Sequence, residues 1–427
     1  MIVLHRAQWL FDAPSPDMLR YFEKGALAID DEGEILDFGP FTTLRKLYPK
    51  AKVFDHGPHS VITPGFIDCH VHAPQMEMMA SAGYSLLEWL NNHTFPVEAK
   101  YANATYATKR WKEFCNGLLS CGTTYAAIYA TSHTPATLKL MEVAEKSGLR
   151  AHVGKVLMDR NAPENLLQPA DEALIELEGL IKKWKKTERV KPAITVRFAP
   201  TSTNELLEGV SQLRKEHPHL LVQTHLGETP EEIKWVADLF PKSKNYTDVY
   251  AQHGLIDDKS LLGHCIYLKN EEVNILKRQK SHLVHCPSSN FFLGSGLFPY
   301  QKMRNQGLSI ALGSDVGGGW DLSMHSTARC CYEAQALQKY FMKPSELLYL
   351  ATRAGALALG DGDRLGVFEK NYIADFVVHD LKGRSLVADR VKQCDSPDDL
   401  LSALLFLGGE PTVRATYIQG KCRYESK

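Results

Sequence analysis

Two histidines stand two residues apart at the end of a short apolar run, Thr63-Pro-Gly-Phe-Ile-Asp-Cys-His-Val-His72. Side chains alternate faces along a strand, so Asp68, His70 and His72 share one face while Ile67, Cys69 and Val71 take the other. Two imidazoles on one face of a strand end are half of a zinc site. The spacing alone is weak evidence. With 17 histidines among 427 residues, chance gives roughly 0.7 His-x-His pairs. A second pair, His217-Pro-His219, follows the charged Arg214-Lys-Glu216. Its proline breaks strands, and it reads as an ordinary loop. The first pair differs in its setting: Pro64-Gly65 opens a strand whose far end carries three polar groups facing one way.

The elements that must position such a site follow a regular rhythm. From about 61 to 360, short apolar runs alternate with longer amphipathic segments. Residues 64–72, Gly122–Tyr125, Ala151–Val156, Ile194–Phe198, Leu220–Thr224, Gly263–Ile266, His282–Cys286 and Ser309–Ser314 read as strands. Ala170–Lys186, Asn204–Glu216 and Glu231–Leu239 read as helices between them. Eight strand-helix repeats predict an α/β fold, a closed (β/α)8 barrel over 61–365. Residues 1–60 have a different texture, with a hairpin at Ala26–Phe38 and a helix only at Phe41–Tyr48. That texture returns after about 365, where Phe376-Val-Val-His reads as a strand. Residues 1–60 and 366–427 together predict a small composite β-sandwich domain.

Composition narrows the function classes. At 44% hydrophobic and 23% charged residues, the chain is an ordinary globular protein with ample core material. A formal net charge of -1 gives no electrostatic reason to expect nucleic acid or an anionic membrane as partner. The basic run Lys182-Lys-Trp-Lys-Lys186 reads as the solvated face of a helix. Nine cysteines lack any Cys-x-x-Cys spacing, which points to reduced thiols in a cytoplasmic protein. The apolar stretch at Met1-Ile-Val-Leu is too short for a signal peptide, and no run approaches a transmembrane span.

Barrels of this type gather functional side chains at the carboxyl ends of their strands. The first strand ends in His70 and His72, the fourth in Arg197-Phe198, and the fifth in His225-Leu-Gly-Glu228. The sixth carries His264, the seventh His285, and the eighth Asp315 in Gly313-Ser-Asp-Val-Gly-Gly-Gly319. One histidine at a strand end is usually a satisfied polar residue. Successive strand ends all supplying His, Glu or Asp form a constellation that such a reading does not explain.

That ordering resembles the amidohydrolase superfamily, over essentially the whole chain. Within it the chain is most similar to the guanine deaminases. The residues carrying the likeness are His70-Val-His72-Ala-Pro-Gln75, Leu86-Leu-Glu-Trp-Leu-Asn-Asn-His-Thr-Phe-Pro96, Arg197-Phe198-Ala-Pro, Thr224-His225-Leu-Gly-Glu228 and Ser314-Asp315-Val-Gly-Gly. Binuclear members of the superfamily carry a bridging lysine after strand four. Arg197 stands in that neighbourhood, and an always-protonated guanidinium does not ligate a cation. The resemblance therefore implies one metal per chain, ligated by His70, His72, His225 and Asp315. Zinc is expected, although nitrogen and oxygen ligands suit iron as well.

By the same resemblance the substrate is guanine, deaminated at C2 to xanthine and ammonia. Asp315 would take the proton of the attacking water, His264 would orient that water or stabilise the developing alkoxide, and Glu228 would shuttle protons to ring N3 and the leaving amine. Gln75, Arg197, Phe198, Trp89 and Glu228 are the implied substrate contacts. Arg197 would read the O6 acceptor, and Phe198 would offer a stacking face worth roughly 1–3 kcal/mol. The frame also serves enzymes of other nucleobases, pterins and triazines. Deaminases built on a His-x-Glu and Pro-Cys-x-x-Cys zinc site are excluded by the cysteine spacing. His285 is placed near the pocket but outside the ligand set, and His133 and His253 lie near strand ends. The resemblance further implies a homodimer in purine catabolism.

Overall fold

The structure is a computed structural model describing residues 1–184 and 187–426. Eight parallel strands form one sheet in sequence order: Phe66–His72, Thr123–Tyr129, Arg150–Leu157, Val190–Val196, Leu221–Leu226, Ser260–His264, His282–His285 and Ser309–Leu312. These are the eight expected from sequence, with ends shifted by a few residues. Four are buried along their whole length, and the other four at all but one residue. This is why they read as unbroken apolar runs rather than alternating ones. Just beyond the last strand, the Asp315 amide donates to the His70 carbonyl and the His72 amide to the Val316 carbonyl, both at 2.8 Å. Those bonds bring the eighth strand's exit back to the first and nearly close the barrel.

Some of the helices between strands begin where the sequence supplies caps. Thr203 accepts the Leu206 amide at the head of Asn204–Glu216. Thr229 and Glu232 form a reciprocal capping box at the head of Pro230–Leu239. Glu232 also accepts the Glu228 amide at 2.7 Å, so the cap that starts this helix also fixes the backbone of the residue before it. The helix Ala170–Lys183 ends within the basic run, with Lys182 and Lys183 in its last turn. Lys185 and Lys186 lie outside the described residues. The first and second strands are joined by a long excursion of short helices, among them Ala73–Met78, Leu86–Trp89, Leu90–Thr94 and Phe95–Ala99.

Two further sheets come from the chain ends. One has six strands, ordered Lys421–Glu425, Val413–Ile418, Phe376–Asp380, Ser60–Pro64, Trp9–Ser15 and Met18–Glu23. The other has four, ordered Ile35–Pro40, Gly25–Ile29, Val3–Arg6 and Lys52–Asp55. The expected hairpin is the antiparallel pairing of Gly25–Ile29 with Ile35–Pro40. Leu10, Ile62, Phe376 and Val378 of the larger sheet share a core with Leu27, Ile29 and Ile35 of the smaller, as in a sandwich. The chain divides into two compact units. One holds Met1–Asp68, Asn116–Tyr125 and the residues from Leu322 onward, and the other Cys69–Cys115 and Ala126–Asp321. The side chains described next all belong to the second unit.

Candidate active site

The Nε2 atoms of His70, His72 and His225 form a triangle with all three sides 3.2 Å. Asp315 Oδ1 lies 3.2 Å from both His70 Nε2 and His72 Nε2. Ligands at the corners of a tetrahedron with metal–nitrogen bonds of about 2.0 Å stand roughly 3.3 Å apart. The donor set therefore fits a single small divalent cation. One donor atom each from His70, His225, His264 and Asp315 also lies within 4.8 Å of the others, so His264 stands closer to the ligand set than its expected water-orienting role required.

Neighbours fix the tautomers. His225 Nδ1–H donates to the Arg197 carbonyl at 2.7 Å, and His264 Nδ1–H to Asn290 Oδ1 at 2.9 Å. Each leaves its Nε2 lone pair facing the cluster, the arrangement that orients metal-binding histidines. Burial lowers His225 well below the usual imidazole range, helped by the neighbouring histidines, and lowers His72 to about 4. Both are neutral and able to ligate. Burial pushes the Asp315 carboxyl up, but His70 and the hydrogen bonds from His70 and His72 outweigh it and hold the carboxylate well below its ordinary range.

His264 and Asp315 both adopt left-handed backbone, with φ 67° and 48°. Non-glycine residues in that region carry strain, which persists where the surrounding structure over-determines it and clusters at functional sites. His264 Nε2 lies 3.4 Å from Glu228 Oε2 and 3.6 Å from Asp315 Oδ2. Ser295 donates to Glu228 Oε1 at 2.7 Å. Burial, and then the Asp315 charge, raise the Glu228 carboxyl to about 8.

These groups open into a cleft of about 420 Å³ whose lining includes Gln75, Trp89, Arg197, Phe198, Glu228 and His264. Every residue expected to touch substrate lines this one cleft, together with Leu86, Leu90 and Leu293. Trp89 is anchored by its indole N–H to the Ser81 carbonyl at 3.1 Å. Phe198 meets His225 edge-on, with centroids 6.4 Å apart. His285 is not in the lining: it stacks on Phe298 at 4.7 Å. His253 turns back to the Val249 carbonyl of its own helix.

The sequence pattern of the amidohydrolase family matches residues 61–423. The guanine deaminase of Escherichia coli (strain K12) is 38% identical over 408 residues, covering 95% of this chain and 92% of that protein. The chain belongs to the guanine deaminase branch of the amidohydrolase family. Among solved structures, a guanine deaminase from C. acetobutylicum with guanine bound in its active site matches at TM-score 0.92. It is 32% identical, over 99% of this chain and 100% of that one. An adenosine deaminase from Xanthomonas campestris with bound zinc matches at TM-score 0.86 and 25% identity, over 98% and 92%.

Around this site the amidohydrolase also places residues that the sequence did not single out. Tyr129, the last residue of the second strand, packs its ring 4.6 Å from that of His70 and 4.5 Å from that of His72. Glu98 accepts from Gln75 and Arg197, and Ser295 donates to Glu228, so both hold side chains that line the cleft. Gly263 and Gly313 make room for His70: a Cβ on Gly263 would stand 2.7 Å from His70 Cε1, and one on Gly313 would stand 2.5 Å from His70 Cβ. Their position beside His264 and Asp315 was the only local signal. Gly263→Ala should therefore displace the His70 ring and weaken cation affinity by about 10–100-fold while circular dichroism stays unchanged. Chelator competition measures this, and unaltered affinity would refute the steric account.

Proposed function

We propose that this amidohydrolase hydrolyses guanine to xanthine and ammonia with one zinc ion per chain. The observation that carries the reading is a single cleft in which a donor set able to hold a cation meets Glu228 and two buried polar side chains, Gln75 and Arg197. A cation held by His70, His72, His225 and Asp315 supplies the Lewis acidity that makes water nucleophilic near neutral pH.

The chain's own residues handle the protons. Asp315 accepts the one that water gives up. His264, facing both Asp315 and Glu228, orients the water between them. Glu228 donates to N3 as oxygen adds to C2, takes up the hydrogen remaining on that oxygen, and passes it to the amine as the C2–N bond breaks; Asp315 then returns its proton to Glu228. The water oxygen stays on C2, and ammonia leaves. Arg197 binds O6, Gln75 the same edge, and Phe198 and Trp89 the ring faces. Adenine presents an amine where Arg197 needs an acceptor, which leaves a charged donor unpaired.

The same reading assigns 1–60 with 366–427 to one composite β domain and 61–365 to the barrel. The six-stranded sheet interleaves strands of both chain ends, which supports a composite domain, and its strand Ser60–Pro64 carries that domain a few residues past 60. Nine free cysteines support a cytoplasmic setting. Among the described residues no helix is long and apolar enough to cross a membrane. A homodimer acting in purine catabolism completes the reading on family resemblance.

The test is ammonia release from guanine, adenine and cytosine, with metal analysis of the same sample. Guanine should turn over fastest, with zinc at one equivalent per chain. Faster release from adenine or cytosine would overturn the substrate, and substoichiometric metal under replete conditions would overturn the mechanism.

A further inference from the structure

We infer that Glu98 is a positioning residue that makes the purine-reading edge of the cleft donor-only, and so selects an acceptor at position 6 of the substrate. The inference rests on the reading of Gln75 and Arg197 as purine contacts. Glu98 is 2% exposed, and its two carboxylate oxygens are divided between those two side chains. Gln75 Nε2 donates to Oε1 at 2.8 Å, and Arg197 Nη1 donates to Oε2 at 2.7 Å.

Gln75 is also held from its other side, where the Gly317 amide donates to Gln75 Oε1 at 3.2 Å. A flipped amide would set its oxygen against the Glu98 carboxylate and its NH2 against the Gly317 N–H. Both replace an attraction by a repulsion, so the amide is locked with its nitrogen toward Glu98. Gln75 thus keeps a spare N–H, and Arg197 has only donors. Glu98 also neutralises a guanidinium that is itself 3% exposed. Without that partner, burying the charge would be strongly unfavourable.

The segment Thr94-Phe95-Pro96, distinctive in sequence but without an assigned role, now has one. It starts the helix Phe95–Ala99 that delivers Glu98, and it sets the Phe95 ring 5.5 Å beneath the Arg197 guanidinium. Glu98 belongs to neither the cation donors nor the cleft lining, so its influence is on the readers rather than on the reacting atoms.

The experiment compares guanine with 2,6-diaminopurine, which carries the same 2-amine but a donor at position 6, counting only product deaminated at C2. Glu98→Gln must turn its NH2 toward one of its two former donors. The ratio of kcat/KM for guanine over 2,6-diaminopurine should then narrow by about tenfold or more, chiefly through KM, with bound zinc unchanged. Glu98→Asp keeps the charge but is one methylene shorter, and should show an intermediate ratio. It carries the test if Glu98→Gln does not fold. Arg197→Lys is the reference for the underlying reading. If it narrows the ratio and both Glu98 variants keep the wild-type value, the inference is overturned and the reading stands. If Arg197→Lys also leaves the ratio unchanged, the reading of the purine edge is at fault and the inference falls with it.

Discussion

Replacing Glu228 by Gln should cut turnover of guanine by about 10²–10⁴-fold, the usual contribution of a positioned acid or base, without loss of the cation. Glutamine matches glutamate in shape, and its carbonyl can still accept from Ser295, which donates to Glu228 Oε1 at 2.7 Å. What it lacks is a transferable proton. In the cation-free protein burial and the Asp315 charge raise the carboxyl to about 8, which favours the protonated form that can serve N3 first and the amine later. Stopped-flow kinetics with metal analysis of the same preparation decides the matter. Unaltered kcat would refute the shuttle, and loss of metal would show a structural role instead.

The same shift has a stability consequence in the cation-free protein. The folded carboxyl titrates near 8, against an ordinary value of 4.5. Between those values the folded state holds more protons than the unfolded one, so this group makes stability fall as pH rises through the window. Glu228→Gln removes that contribution. Its gain in unfolding temperature over wild type should be larger at pH 8 than at pH 5.

Arg197→Ala should lose both recognition and stability. The guanidinium is paired with Glu98 at 2.7 Å, with both side chains almost wholly buried. Deleting it strands a carboxylate away from water, which typically costs about 3–5 kcal/mol. Guanine also loses its O6 partner, so kcat/KM for guanine should fall far more than that for adenine. The two losses can be separated. In the double variant Arg197→Ala/Glu98→Gln the uncompensated charge is gone, so denaturant unfolding should recover most of the stability while guanine preference stays lost. Recovery of both would mean that Arg197 matters only through Glu98. An unchanged preference for guanine over adenine in Arg197→Ala would remove it as the O6 reader.

The candidate cation donors were legible because each signal is local. An apolar run announces a buried parallel strand, and a polar residue at its end announces what the barrel mouth receives. His70 and His72 share a face through the two-residue period of one strand, His225 and His264 stand at the ends of later strands in the same way, and Asp315 follows the end of the eighth by three residues. The decoy at His217 and His219 was separable by its proline, and it does form a loop after the helix Asn204–Glu216. The segment 76–96 resisted the same treatment because it is neither strand nor long helix. Short turns of different pitch carry no period long enough to show which side faces substrate.

By itself, then, the sequence determined the barrel, its strand order and the chemical types at its mouth, since hydrophobic period and strand-end residues depend only on near neighbours. Tertiary structure alone decided who holds whom. Glu98 meets Gln75 and Arg197 across separations of 23 and 99 residues, and Asn290 sets the tautomer of a histidine 26 residues away. Gly263 and Gly313 are required by a ring on a strand that meets theirs only when the barrel curls round. Those pairings depend on distances that exist only once the sheet closes, and no run of adjacent residues encodes them.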